Sequence, residues 1–455
     1  MEYTIGELEA WCSNIEELVS KFGLDCYEQE FEIINYKDML SYEAYLGMPS
    51  RYPHWSFGKA YEKNKTLYRY NLTGLPYEMV INSSPCLAYL MKENTKLVQI
   101  LTIAHVFGHN DFFKNNRLFK NGLEAKYVLS MFKSHGDTIR EYVRDPSIGY
   151  SSVEKILDAA HAIKLQTSRV IGEKRIPYEK QKNNIIEDYK KAAEKIQWYE
   201  DKENIVMPDI SKIPLEDEED LLYFILEYGE LQEWEKNIIE IVKEETNYFM
   251  PQIETKIMNE GWASFWHYRI LNNLELDQGS HLEFIKVHNS VIAPMKGMLN
   301  PYFLGFKIFE DIEKRFGTEK IFEVRALERD ESFIRRYLTK ELCNELNLFS
   351  YEKIGSDYLV KDVADEEGWK DIRDLICKNC GLNLVPHIKI IEMDKKDRSL
   401  HLEQVFDGRE LNIDYAKATL KYIYRLWGNK IILNTNLSGK NISIICEAED
   451  NIYLS

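Results

Sequence analysis

Hydrophobic residues recur along most of this chain at the three-to-four spacing of helices buried on one face, and one stretch departs from that pattern by being apolar almost all round. From Asn94 to Asn116 the sequence NTKLVQILTIAHVFGHNDFFKNN sets His105 and His109 in line with Val98, Leu101 and Phe112, while Leu97, Ile100, Ile103, Val106 and Phe107 cover the other faces. At about 100° per residue the two histidines stand about 40° apart. The stretch therefore predicts a central helix, buried on most sides, with two imidazoles one turn apart. Both need partners, because an unpaired buried polar group is costly.

Around that pivot the periodicity predicts a mainly α chain. Ile5, Leu8, Trp11, Ile15, Leu18, Val19 and Phe22 recur at helical spacing, and residues 1 to about 50 are expected as amphipathic helices. The Tyr-, Pro-, Gly- and Asn-rich run from Pro49 to Pro85 predicts an ordered loop with one short hairpin across TLYRYNLTGLPYEMVIN, residues 66–82. In it, His54 beside Trp55 either packs in an aromatic cluster or lines a pocket. A helix is expected from about Leu123 to Arg144. Ser151 and Glu154 then have the spacing of a capping box opening the next, on which Glu154, Asp158 and His161 form a polar line beside Val153, Leu157 and Ala160. Capping is a sufficient role for Glu154. From about 172 to 214 Lys, Glu, Asn and Asp dominate, which predicts a charged, partly helical excursion over the surface.

A second informative helix follows, expected to start at Pro251. On it Glu260, Ser264 and His267 share one face, and Gly261 and Ala263 leave room for close approach of a neighbour. Trp262, Phe265, Trp266 and Ile270 surround them, so Glu260 is expected in a buried or lined cleft, where a carboxylate must be paired or bound to a metal. The run VRALERDESFIRRYLTKELCNELNLF is expected as helix. Near Leu384 the period changes to that of strands, with DYAKATLKYIYRLWG as a helix stopped by Gly428. The expected architecture is a large helical N-terminal domain, residues 1–383, followed by a small α+β domain of order β-β-α-β-β, residues 384–455.

Composition narrows the function classes. The 455 residues are 44% hydrophobic and 13% aromatic, ample for a large core, and the many Tyr and Trp are spread along helices as core rather than gathered as a sugar platform. A formal charge of −17 argues against nucleic acid as the partner, since phosphate binding needs concentrated basic surface. The N-terminus lacks the pattern of a secretory signal, and no stretch approaches the ~20 apolar residues of a membrane span. A cytoplasmic protein is expected, and the seven scattered cysteines fit reduced thiols. Cys377-x-x-Cys380 has no second pair and is taken as incidental. Patterns for nucleotide loops and for the nucleophile elbow of α/β-hydrolases are absent.

His105, His109 and Glu260 are the strongest chemical constellation. An HxxxH pair on one helical face offers two nitrogen ligands, and a carboxylate from a second helix can complete a three-ligand site with an open position. Zinc is the first choice of metal and iron the second. HVFGH resembles the HExxH helix of gluzincin peptidases, and NEGWASF resembles their NEGFASY segment, whose Glu is the third zinc ligand. The departures are Val106, which stands where those enzymes keep their general base, and a separation of 151 positions between His109 and Glu260, far longer than usual. Asp158, His161 and His267 are the candidates for handling protons, and His161 and His267 are also secondary ligand candidates. Asp158-x-x-His161 also has the ligand spacing of di-iron bundles, which leaves a two-metal site open. Asp111 points elsewhere and is expected to cap or bond locally. The competing reading makes the two histidines satisfied core residues.

Seven ordered blocks carry a wider resemblance: YPHWSFGKAYE (52–62), YEMVINSSPCLAYLM (77–91), AHVFGHNDFFKNN (104–116), VEKILDAAHA (153–162), MNEGWASFWHYRIL (258–271), NPYFLGFKIFEDIE (300–313) and DYAKATLKYIYRLWG (414–428). Together they resemble the stage V sporulation protein R (SpoVR) family across nearly the whole chain. The resemblance implies a bacterial cytoplasmic protein linked to formation of the spore cortex, a modified peptidoglycan, although relatives also occur in bacteria that do not sporulate. It implies no settled activity and no accepted catalytic residues. Two functions are carried forward: a metal-dependent hydrolase acting on an amide, in a peptide or peptidoglycan precursor, and a non-catalytic sporulation factor or scaffold that works through protein partners.

Overall fold

In the computed structural model, which describes residues 3–70, 78–172, 174–196, 209–294, 299–354 and 357–455, the apolar stretch around the two histidines is the helix Lys96–Asn115, with every residue from Leu97 to Phe113 buried. Thr95 caps its start, accepting from the Val98 N–H at 3.3 Å. Helices Ile5–Lys21 and Lys256–Asn273 pack on it and share one hydrophobic core with it. No helix among the described residues is long and apolar enough to cross a membrane. The fold is mainly α with a small α+β C-terminal part.

Contacts gather the chain into two compact units, 1–145 with 247–384, and 146–246 with 385–455. This grouping joins residues 146–246 with the C-terminal residues. The helix Gly149–Ile163 explains why: it packs on the C-terminal helix Ile413–Trp427 and on Leu221–Tyr228, and the ring of Phe224 lies 5.7 Å from that of Trp427. The backbone of Ile213 and Glu218 also bonds to Met393 and Ile390. The C-terminal strands have the expected β-β-α-β-β order with one more strand, Asn451–Leu454, at the edge of a five-stranded sheet. Gly428 stops the helix in the left-handed conformation, φ 80°.

Several local expectations change. Residues 1–50 include a strand, Gln29–Ile34, which runs parallel to Cys86–Met91. The hairpin is formed by Glu78–Ile81 and Cys86–Met91 rather than across 66–82. Residues 66–69 finish the helix Trp55–Arg69, and 71–77 lie outside the described residues. The expected capping box at Ser151 is not made, because the helix starts two residues earlier at Gly149 and Glu154 accepts instead from the Tyr150 hydroxyl at 2.7 Å. Pro251 does not open a helix but sits inside Glu233–Glu254, where Thr255 donates its hydroxyl to the Pro251 carbonyl at 2.6 Å. The next helix opens at Lys256, and Asp330 caps it from far along the chain by accepting from the Ile257 and Met258 N–H groups, both at 2.9 Å. After Leu327 the expected helical run is broken into Asp330–Tyr337 and Lys340–Glu345 before the strand Phe349–Ile354. Tyr178–Ile196 forms the helix of the charged excursion; residues 173 and 197–208 of it lie outside the described residues.

Candidate metal centre

Three helices meet here because glycine lets them. A Cβ added at Gly108 would stand 2.6 Å from the Ala263 Cα, and one at Gly261 would stand 2.3 Å from the Gly305 carbonyl carbon. Lys96–Asn115, Lys256–Asn273 and Pro301–Phe316 can therefore come together only with those side chains missing. The contact faces one turn away carry His105, Glu260 and Tyr302. Asn300 fixes the start of the third helix by accepting from the Tyr302 N–H at 3.0 Å and donating to the Val291 and Ala293 carbonyls.

Both imidazoles turn their Nε2 atoms to the same place. His105 Nε2 lies 3.8 Å and His109 Nε2 3.6 Å from Glu260 Oε2, and His105 Nε2 lies 3.9 Å from Glu78 Oε1. Glu78, His105 and His109 offer ligand atoms all within 4.8 Å of one another. The Nδ1 atoms face outward: His109 Nδ1 lies 2.9 Å from Asn259 Oδ1, and His105 Nδ1 lies 2.9 Å from His267 Nδ1. Glu260 Oε2 is inaccessible to solvent and has no hydrogen bond, and the Tyr302 phenol stands close enough to the Glu260 carboxylate for that charge to govern its titration. A cavity of about 360 Å³ adjoins the cluster, lined in part by Glu78, His109, Lys256, Glu260 and Tyr302.

The protonation tendencies follow from burial and neighbours. Burial pushes Glu78 above the usual carboxylate range, His105 opposes this and Glu260 adds to it. Burial would also raise Glu260, but His105, His109 and Lys256 outweigh it and hold that carboxyl low. Burial, and then repulsion from His105, pulls His109 down to about 4. The negative charge of Glu260, followed by burial and Glu78, drives the Tyr302 phenol far above its ordinary value, so it keeps its proton. Without a cation the pocket thus holds a phenol donor and two carboxyl groups of opposite tendency.

Of the residues singled out in the sequence, His105, His109, Glu260 and His267 come together. His267 is fully buried behind His105 and does not line the cavity. Asp158 and His161 lie on Gly149–Ile163, in the other compact unit, and are not among the groups that surround His105. Ser264 is buried with no hydrogen-bond partner for its hydroxyl. Asp111 is fully buried and does more than bond locally: it accepts from the Asp25 N–H and the Trp262 indole N–H, both at 2.8 Å, beside Arg325. His54 caps the helix Trp55–Arg69 and stacks near Trp55 and Phe57. Glu78, Tyr302, Asn259 and His288 were not anticipated as site residues. The first three lie within the quoted blocks 77–91, 300–313 and 258–271, which is the signal the sequence carries for them.

Comparison with known proteins agrees along the whole chain. The family model described as "SpoVR like protein" matches residues 2–385, and that described as "SpoVR-like C-terminal domain" matches residues 386–438. A protein of Escherichia coli (strain K12) named "Uncharacterized protein YcgB" is 33% identical over 490 residues, which cover 98% of this chain and 94% of that protein. No solved structure matches the chain.

Proposed function

The chain belongs to the SpoVR-like protein family, and from that premise we propose that it is a cytoplasmic, divalent-metal-dependent enzyme of sporulation, with His105, His109 and Glu260 as ligands and Glu78 as a fourth donor. The observation that carries this reading is Glu260 Oε2, a solvent-inaccessible carboxylate oxygen with no hydrogen bond, facing two imidazole nitrogens at 3.6 and 3.8 Å. A tetrahedral site with bonds of ~2.0–2.1 Å has its ligands about 3.3 Å apart, a few tenths of an ångström less than the two imidazole-to-Glu260 separations. Two imidazoles with carboxylates suit zinc, or ferrous iron as the second choice. When bound, such an ion would supply Lewis-acid polarisation of a substrate carbonyl.

The protein groups supply the rest. Asn259 holds His109 through Nδ1, so its Nε2 lone pair points inward. Tyr302 keeps its proton beside the Glu260 carboxylate. Val106 stands where zinc peptidases keep the glutamate that serves as their base. The cavity volume suits a small amide rather than a folded protein, which supports hydrolysis of an amide in a peptide or a peptidoglycan precursor and a place in spore cortex formation. The second reading, a non-catalytic sporulation factor that acts through protein partners, is favoured by one observation: the Nε2 atoms of His105 and His109 already face carboxylates within ion-pair distance, which can satisfy them as a structural polar core.

Metal analysis of protein purified without an affinity tag separates the two. The enzyme reading expects near-stoichiometric zinc or iron, lost in His105→Ala and Glu260→Ala together with support of cortex formation in a sporulating host. Substoichiometric metal, with both variants sporulating normally, would refute it. Two ions per chain would point to redox chemistry instead of hydrolysis.

A further inference from the structure

Behind the ligand pair runs a second, unassigned line of imidazoles. His105 Nδ1 lies 2.9 Å from His267 Nδ1, and His267 Nε2 lies 2.8 Å from His288 Nδ1. These three residues are 4, 0 and 2% exposed. His288 belongs to the helix Gln278–Val291, and its ring is collared by Tyr268 at 4.7 Å, Phe306 at 5.3 Å and Phe284 at 6.0 Å. Burial, followed by the neighbouring histidines, holds His267 well below its ordinary pKa, and burial followed by His105 and Lys307 lowers His288 to about 4. His267 and His288 therefore sit where the neutral form is favoured.

A neutral imidazole carries one N–H and one lone pair, and each contact in the line needs one proton between its two nitrogens. Only two arrangements satisfy both contacts. In one, His105 is protonated on Nε2 and points that N–H at Glu260 and Glu78, while His267 donates from Nδ1 to His105 and His288 donates from Nδ1 to His267. In the other, His105 donates from Nδ1, His267 from Nε2, and His288 carries its proton on the far Nε2. Mixed registers leave two lone pairs or two N–H groups facing each other inside the core, which burial penalises.

We propose that His267 and His288 are positioning residues of the candidate centre, which act as a two-state tautomer chain whose outward register frees the His105 Nε2 lone pair for a cation. This inference rests on the metal reading above. Passing from one register to the other conserves protons: one leaves His105 Nε2 at the site, each internal proton crosses one hydrogen bond toward the site, and one is taken up at His288 Nε2. A cation at the centre selects the outward register, because only that register leaves His105 Nε2 without a proton. His109 has a simpler arrangement, since Asn259 Oδ1 can only accept. The two ligands therefore differ in how their tautomers are set.

The test is zinc affinity, read by competition with a chromophoric chelator, with the thermal midpoint of the metal-free protein as control. His267→Phe removes the acceptor for His105 and is expected to weaken zinc by roughly 10–100-fold with every ligand in place. His288→Leu leaves His267 Nε2 without its partner and is expected to weaken zinc in the same direction. His288→Gln restores an acceptor and is expected to recover most of the loss, which a purely packing role would not produce. Near-wild-type zinc affinity in a folded His267→Phe or His288→Leu protein overturns the inference. Should both variants misfold, long-range ¹H–¹⁵N spectra of ¹⁵N-histidine wild-type protein decide it: zinc must move the proton of His105, His267 and His288 together, and a shift confined to His105 overturns the chain. A wild-type protein that binds neither zinc nor iron overturns the metal reading itself, a result distinct from zinc binding that ignores His267.

Discussion

Replacing Gly261 by alanine sets two ordinary effects against each other. In an exposed helix the change favours the folded state by about 1 kcal/mol, because glycine is the poorer helix former. Here the new Cβ would lie 2.3 Å from the Gly305 carbonyl carbon, 2.4 Å from its Cα and 2.7 Å from the Phe306 nitrogen. Ordinary carbon contacts are about 3.5 Å, so the helices Lys256–Asn273 and Pro301–Phe316 must part by roughly 1 Å. All three atoms belong to backbone that cannot rotate aside, which places the overpacking cost near the top of its usual range of about 1–3 kcal/mol. The expected net loss is about 1–2 kcal/mol. The same displacement carries Glu260, the preceding residue, away from Tyr302 and the two histidines, so zinc affinity should fall as well. Urea unfolding followed by tryptophan fluorescence, with chelator competition alongside, measures both. A Gly261→Ala protein as stable as wild type or more so, with unchanged zinc binding, would refute the close contact and the account of how the site is assembled.

Metal-free protein should lose stability on acidification. His109 and His288 are held near 4, below the unfolded value of about 6.5, so the unfolded chain binds more protons between those values. Their contribution is fully present above pH 6.5 and is lost as pH falls toward 4, by up to about 3 kcal/mol each; a flat urea midpoint across that window would count against neutral buried rings. Asp111→Ala strands the buried Arg325 and the Trp262 N–H and should cost about 3–5 kcal/mol; a loss under about 1 kcal/mol in chemical denaturation would remove Asp111 from the core network. Glu78→Gln should weaken zinc binding while sparing the fold, because Glu78 lies at the cavity wall on a short strand; unchanged affinity in calorimetry would limit the ligand set to His105, His109 and Glu260.

What the sequence made legible follows the range of the forces involved. Helical period marked Lys96–Asn115 as a buried pivot, and shared faces on two helices brought His105, His109, Glu260 and His267 together before any coordinates. The small residues at Gly261 and Ala263 signalled a close approach. Glu78 escaped notice because a strand of four residues in a Tyr- and Pro-rich stretch has too little period to assign a face. His288 escaped because its helix reads as ordinary, and only the stacking of Tyr268 and Phe306 makes it interior. Asp158 and His161 have good local spacing, but their helix buries its apolar stripe on Ile413–Trp427, a pairing between segments far apart in the chain. The cap from Asp330 on the helix at Lys256 is of the same kind.

The interval between the two halves of the centre has a consequence for how the protein is made. His109 and Glu260 are 151 positions apart, and the intervening residues 146–246 belong to the other compact unit. At about 5–20 residues per second on a ribosome, the helix Lys96–Asn115 waits roughly 8–30 s for Lys256–Asn273 to emerge. Ile5–Lys21 and the strand Cys86–Met91 are already available to cover part of its surface. The face that meets Lys256–Asn273 is the part left open. A growing chain thus leaves part of this apolar helix uncovered for many seconds, which makes the segment a natural client for a chaperone until Lys256–Asn273 has been synthesised.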